Sequence, residues 1–247
     1  MPQLIHQIAF YIHVIAGSIA LVVFWLPIFA KKGDKKHRRF GQLFVNGMYA
    51  VSISGVLMTL FVLVDPIGVR APERNLDIEQ AYNLAYQNRV FAGFLLMLSI
   101  LVFSNVKQSV LVLKVKAQRE LLKTRFHIGT IIFLGMVGLV VGWIGFSEQL
   151  LLLQIFSVLS VLNSIGMLHY IYKSNLKQRE WIIAHLGNIL GAGIGAYTAF
   201  FAFGGSRLFS EILTGNLQVI PWIAPGVIGV VSSIYLTKKY QQQFRVA

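Results

Sequence analysis

The sequence predicts an all-α polytopic membrane protein, with seven transmembrane helices forming a single transmembrane domain over residues 1–247. Three observations lead to this fold class. Only 13% of the residues are charged, whereas an ordinary soluble domain contains about 25%. Apolar runs of about 20 residues, long enough to span the hydrocarbon core of a bilayer, recur along the chain. The positive charges are concentrated between alternate runs.

Each of the seven apolar runs is expected to be a helix, because backbone groups in lipid must form their hydrogen bonds within the segment. Positive charges follow the first run instead of preceding it, so we expect this run to stay in the membrane and not to act as a cleaved signal. The predicted spans cover residues of about 5–30, 42–64, 90–112, 126–146, 150–172, 182–203 and 220–237.

The distribution of lysine and arginine predicts the orientation of the bundle. The connectors after the first, third and fifth runs, together with the tail, hold eighteen of the 22 basic residues. The positive-inside rule then predicts an N-terminus outside and a C-terminus in the cytoplasm, in a bacterial-type cytoplasmic (inner) membrane. The net charge of +13 is explained by this topology, so we expect the lipid bilayer and no nucleic acid as partner. The other connectors contain only Arg70, Arg74, Arg89 and Arg207.

The ionisable residues left near the spans are histidines, and asparagines follow the same pattern. The chain has no cysteine, which excludes thiolate zinc sites and cysteine-bound iron–sulfur clusters. The topology brings most of these polar residues to the cytoplasmic level of the bundle, where we predict a cluster of His37, His127, His169, His185, Asn46, Asn105 and Asn188. An alternative remains open, in which such side chains only snorkel to the interface or bridge helices.

Two segments resemble an uncharacterised family of bacterial multi-pass proteins, known as domain of unknown function 2306. The first segment is His13-Val-Ile-Ala-Gly17 followed by the basic loop and His37-Arg38-Arg39-Phe40-Gly41, and the second is Trp181-Ile-Ile-Ala-His185. The resemblance implies that His13, His37 and His185 are the characteristic polar positions of the family. It implies no activity.

The first functional hypothesis is electron transfer through haem b, since haem iron takes two axial side chains. The axial candidates from topology are His127, His169 and His185, with His13 and His37 as further cofactor-binding candidates. The layout is also similar, more loosely, to membrane b-type cytochromes. The expected partner for this function is a redox protein or a quinone.

Three other functions are compatible with the same residues. A small-solute or lipid transporter would use the polar cluster as a cytoplasmic vestibule. A metal-dependent hydrolase would bind zinc with three of the histidines. In an accessory or structural protein, the histidines and the stripe formed by Gly187, Gly191 and Gly195 would only pack helices against each other.

Overall fold

The computed structural model describes residues 2–204 and 213–246, and seven of the described helices are long and apolar enough to cross a membrane. This confirms the predicted number of spans. The helices are α1 (Pro2–Phe29), α2 (Lys35–Val64), the short α3 (Pro66–Arg70), α4 (Ile78–Val115), α5 (Arg125–Ser147), α6 (Leu151–Tyr172), α7 (Glu180–Ala199) and α8 (Ile220–Gln243). Arg207, which the sequence places in the last connector, lies outside the described residues.

Side-chain caps determine where two of the histidine-bearing helices begin. The Asp34 carboxylate accepts a hydrogen bond of 2.7 Å from the His37 backbone N–H, and the Thr124 hydroxyl accepts one of 3.3 Å from the His127 N–H. These bonds satisfy N–H groups that a helix leaves without a partner in its first turn. As a result, His37 and His127 each lie in the first turn of a helix, α2 and α5 respectively.

Helix α4 is the longest element and the centre of the bundle. It has 38 residues, about 57 Å at 1.5 Å per residue, against a hydrocarbon core of about 30 Å. It therefore extends beyond the predicted span of 90–112 at both ends. A capping box formed by Asp77 and Gln80 starts the helix outside the apolar run. Helices α2, α5, α6 and α7 all pack against α4.

The buried apolar residues form separate clusters around α4, whereas many large apolar side chains are exposed on the outside of the bundle. One cluster joins α1, α2, α4 and α7 around Phe44, Met48 and Val106. A second includes Leu122 and Ile131 at the end where α5 begins. Outward-facing residues such as Trp143, 76% exposed, are distributed over the helices. This pattern suits a bundle surrounded by lipid, where exposed apolar surface carries no cost.

The connectors rich in lysine and arginine lie together at one end of the bundle, which we call the basic end. Arg119 donates to the carbonyls of Tyr170 and Lys173, at 3.1 and 2.5 Å, and so joins the third connector to the fifth. Arg179 donates to the Phe244 carbonyl in the tail at 3.1 Å. Lys32 of the first connector lies over the ring of Tyr240, close to the tail in sequence. These contacts place the four segments that the charge distribution assigned to one side of the membrane at one end of the structure.

Candidate functional site

A stripe of buried polar side chains lies along α4 in the half of the bundle nearer the basic end. Ser104, Asn105, Gln108 and Ser109 are each at most 3% exposed. Their spacing of one, four and five residues places them on one face of a helix. Sequence reasoning identified only Asn105. The signal was nevertheless visible, because five of the six residues 104–109 are polar or charged at the end of an otherwise apolar span.

His185, on α7, is attached to this stripe through its Nδ1 atom. Nδ1 lies 3.1 Å from the Ser109 carbonyl oxygen and 2.8 Å from Ser109 Oγ. A carbonyl can only accept a hydrogen bond, so a neutral His185 ring carries its proton on Nδ1. Nε2 is left with a lone pair, and no hydrogen bond to Nε2 occurs among the described residues.

His37, near the start of α2, has the same arrangement. Its Nδ1 donates to the Pro27 carbonyl oxygen at 3.0 Å, at the carboxyl end of α1. Within the part of the chain that the structure describes, Nε2 of this ring is also without a hydrogen bond. His37 and His185 are thus rings on two different helices, each held through Nδ1 against a backbone carbonyl.

His127, on α5, is bonded to the same stripe through its other ring nitrogen, Nε2. Its Nε2 lies 2.6 Å from Gln108 Oε1, and its side chain is completely buried. Nε2 therefore carries the proton of a neutral ring, because a carboxamide oxygen only accepts. Two buried atoms of this pair, His127 Nδ1 and Gln108 Nε2, have no hydrogen-bond partner among the described residues.

His13 is the only predicted candidate in the other half of the bundle. Ser54 Oγ donates to the Ala50 carbonyl at 2.6 Å, so its lone pairs can accept the Nδ1–H of His13 at 3.2 Å. His13 thus shares the Nδ1 arrangement of His37 and His185. Its neighbours across the helix contact are Ser54 and Gly55, so no second histidine faces it among the described residues.

The other predicted members of the polar cluster do not all face the centre of the bundle. His169 is exposed on α6, and Asn46 is exposed on α2, where it accepts from Gln42 at 2.8 Å. Asn188 donates to the Ala184 carbonyl of its own helix at 2.7 Å. The structure therefore places His127 and His185 against α4, the helix that carries Asn105. His37 is bonded to Pro27 of α1 instead, and His169 and Asn46 are exposed.

The predicted glycine stripe on α7 packs mainly against α4. A Cβ atom at Gly191 would lie 3.2 Å from Asn105 Oδ1, and one at Gly195 would lie 3.4 Å from Val102. A Cβ at Gly187 would meet no atom within 4 Å. Two of the three glycines thus allow close helix packing. Gly187, two residues from His185, is the one that borders open space.

The donor set distinguishes between kinds of metal site. Within residues 2–204 and 213–246, no group of three or more His, Cys, Asp or Glu side chains could hold a metal ion. A zinc hydrolase needs about three protein ligands, whereas haem iron receives four ligands from its porphyrin and needs only two from the protein. A metal-ligating histidine usually donates its other N–H to a carbonyl or carboxylate. Among the described residues, His37 and His185 meet this requirement with a backbone carbonyl and leave Nε2 free, whereas His127 meets it with the Gln108 carboxamide and leaves only Nδ1 free.

No protein-family model matches the chain, and no curated protein or solved structure shows a significant match.

Proposed function

We propose that this chain is a haem-b-binding electron-transfer protein of the membrane, with His37 and His185 as the axial ligands. The observation that carries the proposal is the anchoring of both rings by Nδ1–H bonds to backbone carbonyls, at 3.0 Å and 3.1 Å. Such a bond fixes the tautomer and orientation of a ligating ring and directs Nε2 toward the metal. His13, the third histidine anchored by Nδ1, has no facing partner and is not part of the proposed pair.

The chain's own groups would do two things at such a site. Pro27 and Ser109 hold the two rings in a fixed orientation. The apolar cluster of α1, α2, α4 and α7 keeps water away, and burial of this kind influences the redox potential. The haem, when bound, supplies one-electron chemistry. A redox protein or a quinone would exchange electrons with it at the basic end.

The choice of residues differs from the one that topology alone favoured. In the described part of the chain, His127 engages Nε2 and leaves free only Nδ1, the nitrogen that its own Cβ hinders. His169 is exposed on α6. His13, His37 and His185 are the three histidines of the segments that resemble domain of unknown function 2306, and all three hold Nδ1 against an acceptor. This coincidence supports a shared role for these positions. Membership of that family remains part of the proposal.

The other functions receive less support from the same geometry. A solute vestibule requires polar groups that line an opening, but Asn105 bonds to Leu101 and Asn163, and His127 bonds to Gln108. A zinc hydrolase lacks a third ligand among the described residues. We further propose a bacterial inner membrane with the basic end in the cytoplasm, which the clustered connectors support through the positive-inside rule.

The test is the visible spectrum of the intact chain, purified in mild detergent from haem-replete cells, before and after dithionite. We expect a Soret band that shifts on reduction, with sharp α and β bands typical of six-coordinate low-spin haem. Haemin titration into the purified protein should reach one equivalent. A folded, colourless protein that takes up no haemin would overturn the proposal and favour the accessory role.

A further inference from the structure

A groove open to the surrounding lipid lies between α2, α4 and α5, on the side of α4 facing α2 and α5. Its volume is about 490 Å³. It begins at Arg125, at the amino end of α5, and runs toward the middle of the membrane. From Arg125 to Phe133 it extends about 12 Å, at 1.5 Å per helical residue. Its other lining residues are mostly apolar and include Ile53, Val56 and Ile100.

Two cations lie at the end of this groove nearest the basic end. Arg125 is exposed and forms no hydrogen bond or ion pair among the described residues. The Lys107 ammonium is buried, and within the same residues it has no hydrogen-bond partner. It lies 3.6 Å from the centroid of the Phe126 ring and 5.8 Å from that of Phe103, both of which line the groove. Ring faces attract an ammonium, but they do not replace an anion.

No carboxylate among residues 2–204 and 213–246 neutralises these cations. Three acidic residues lie at the basic end in the sequence, and each is engaged elsewhere. Asp34 caps α2, Glu120 pairs with Lys123 at 2.7 Å, and Glu180 pairs with Lys173 across the fifth connector. The amino end of α5 adds the positive end of its helix dipole at the same place. The mouth of the groove is therefore positive, and its interior is apolar.

We propose that this groove binds an anionic phospholipid, with the phosphate between Arg125 and Lys107 and an acyl chain along the groove. Charge complementarity selects the anion, and the opening toward lipid selects a ligand with an apolar tail. Phe126 is 68% exposed, so its ring can turn away from Lys107 and admit a phosphate oxygen. The groove contains neither His37 nor His185, so this proposal stands independently of haem.

The test uses delipidated full-length protein and native mass spectrometry with three probes: phosphatidylglycerol, phosphatidylcholine and inorganic phosphate. We expect retained phosphatidylglycerol adducts and a raised melting temperature. Phosphatidylcholine has the same phosphate, but its choline cation would face Arg125 and Lys107, so we expect roughly tenfold weaker binding. Equal binding of both lipids would overturn the anionic selectivity. Equal stabilisation by inorganic phosphate would show an anion site only and would overturn the lipid assignment.

Two matched pairs of variants locate the site. Arg125→Gln should weaken phosphatidylglycerol binding roughly tenfold, whereas Arg39→Gln, an exposed arginine at the same end, should not. Gly129→Leu places a side chain in the groove, at a position where an added Cβ meets no atom within 4 Å. Its control is Gly166→Leu on α6, where an added Cβ also meets no atom within 4 Å. Loss of lipid only in Gly129→Leu supports the groove. If each variant bound phosphatidylglycerol as well as its control did, the assignment of the lipid to this groove would be contradicted.

Discussion

The two sides of α4 at the basic end carry the same residue type in opposite arrangements. On the α7 side, His185 is held at Nδ1 by Ser109, and its Nε2 remains unbonded among the described residues. On the α5 side, His127 is held at Nε2 by Gln108. Ser109 and Gln108 are neighbours in sequence, so the two rings occupy similar depths. The two rings therefore differ in which nitrogen is hydrogen-bonded, and not in depth or residue type. This difference makes His185 a candidate haem ligand and His127 a ring that joins two helices.

The largest expected effect comes from removing the proposed ligands. His185→Ala and His37→Ala should each abolish six-coordinate low-spin haem, because one axial ligand is lost. His127→Ala, on the other side of α4, should retain it. The reduced-minus-oxidised spectrum of equal amounts of folded protein measures the difference. Loss of haem in His127→Ala, with retention in His185→Ala, would reverse the comparison.

A smaller effect is expected from the hydroxyl that supports His185. Ser109→Ala removes Oγ but leaves the carbonyl, so haem affinity should fall roughly tenfold, the lower end of the range for lost support of a metal ligand. Ser104→Ala is the control, since Ser104 Oγ is buried on the same helix without a partner among the described residues. Haemin titration measures both. Equal affinities in the two variants would show that the Ser109 hydroxyl does not orient the ring.

On the α5 side the expected effect is on stability and not on haem. His127→Leu should lower the free energy of unfolding by about 1–3 kcal/mol, because it leaves Gln108 Oε1 buried without a donor. The double variant His127→Leu/Gln108→Leu removes both polar groups and should regain most of that loss. Unfolding in detergent measures the cycle. If the double variant were no more stable than the less stable of the two single variants, the pair would not have the purely structural role described here.

The smallest effect is expected at His169. Its side chain is exposed on α6, so His169→Ala should change the unfolding free energy by less than about 0.5 kcal/mol. It should leave the spectrum of bound haem unchanged. Thermal unfolding and the visible spectrum of one preparation test both statements. A lost or shifted Soret band would return His169 to the list of ligands.

The sequence predicted the helices well because the signal is repeated along each span. Seven apolar runs and four basic segments are redundant observations, and the described residues form seven helices suited to span a membrane, with those segments at one end. An apolar run gives the span and not the ends of the helix where a cap lies outside the run. Asp77 starts α4 twelve residues before the predicted span.

The candidate site was less predictable, because hydropathy reports depth and not rotation about a helix axis. His169 and His185 were assigned to one level, yet the first is exposed and the second contacts Ser109. Ring orientation is even harder to predict from the sequence, because it depends on which acceptor lies beside Nδ1 or Nε2. The polar stripe containing Gln108 and Ser109 could have been found from its helical spacing.

The most direct test of the central claim is the tautomer of each histidine in haem-free protein. Protein labelled with ¹⁵N at histidine, with His37→Ala, His127→Ala and His185→Ala used for assignment, allows nitrogen NMR to identify the protonated atom. We predict a proton on Nδ1 of His37 and His185 and on Nε2 of His127, because each of these atoms faces an acceptor. The same tautomer in all three rings, or the reverse pattern, would contradict the account.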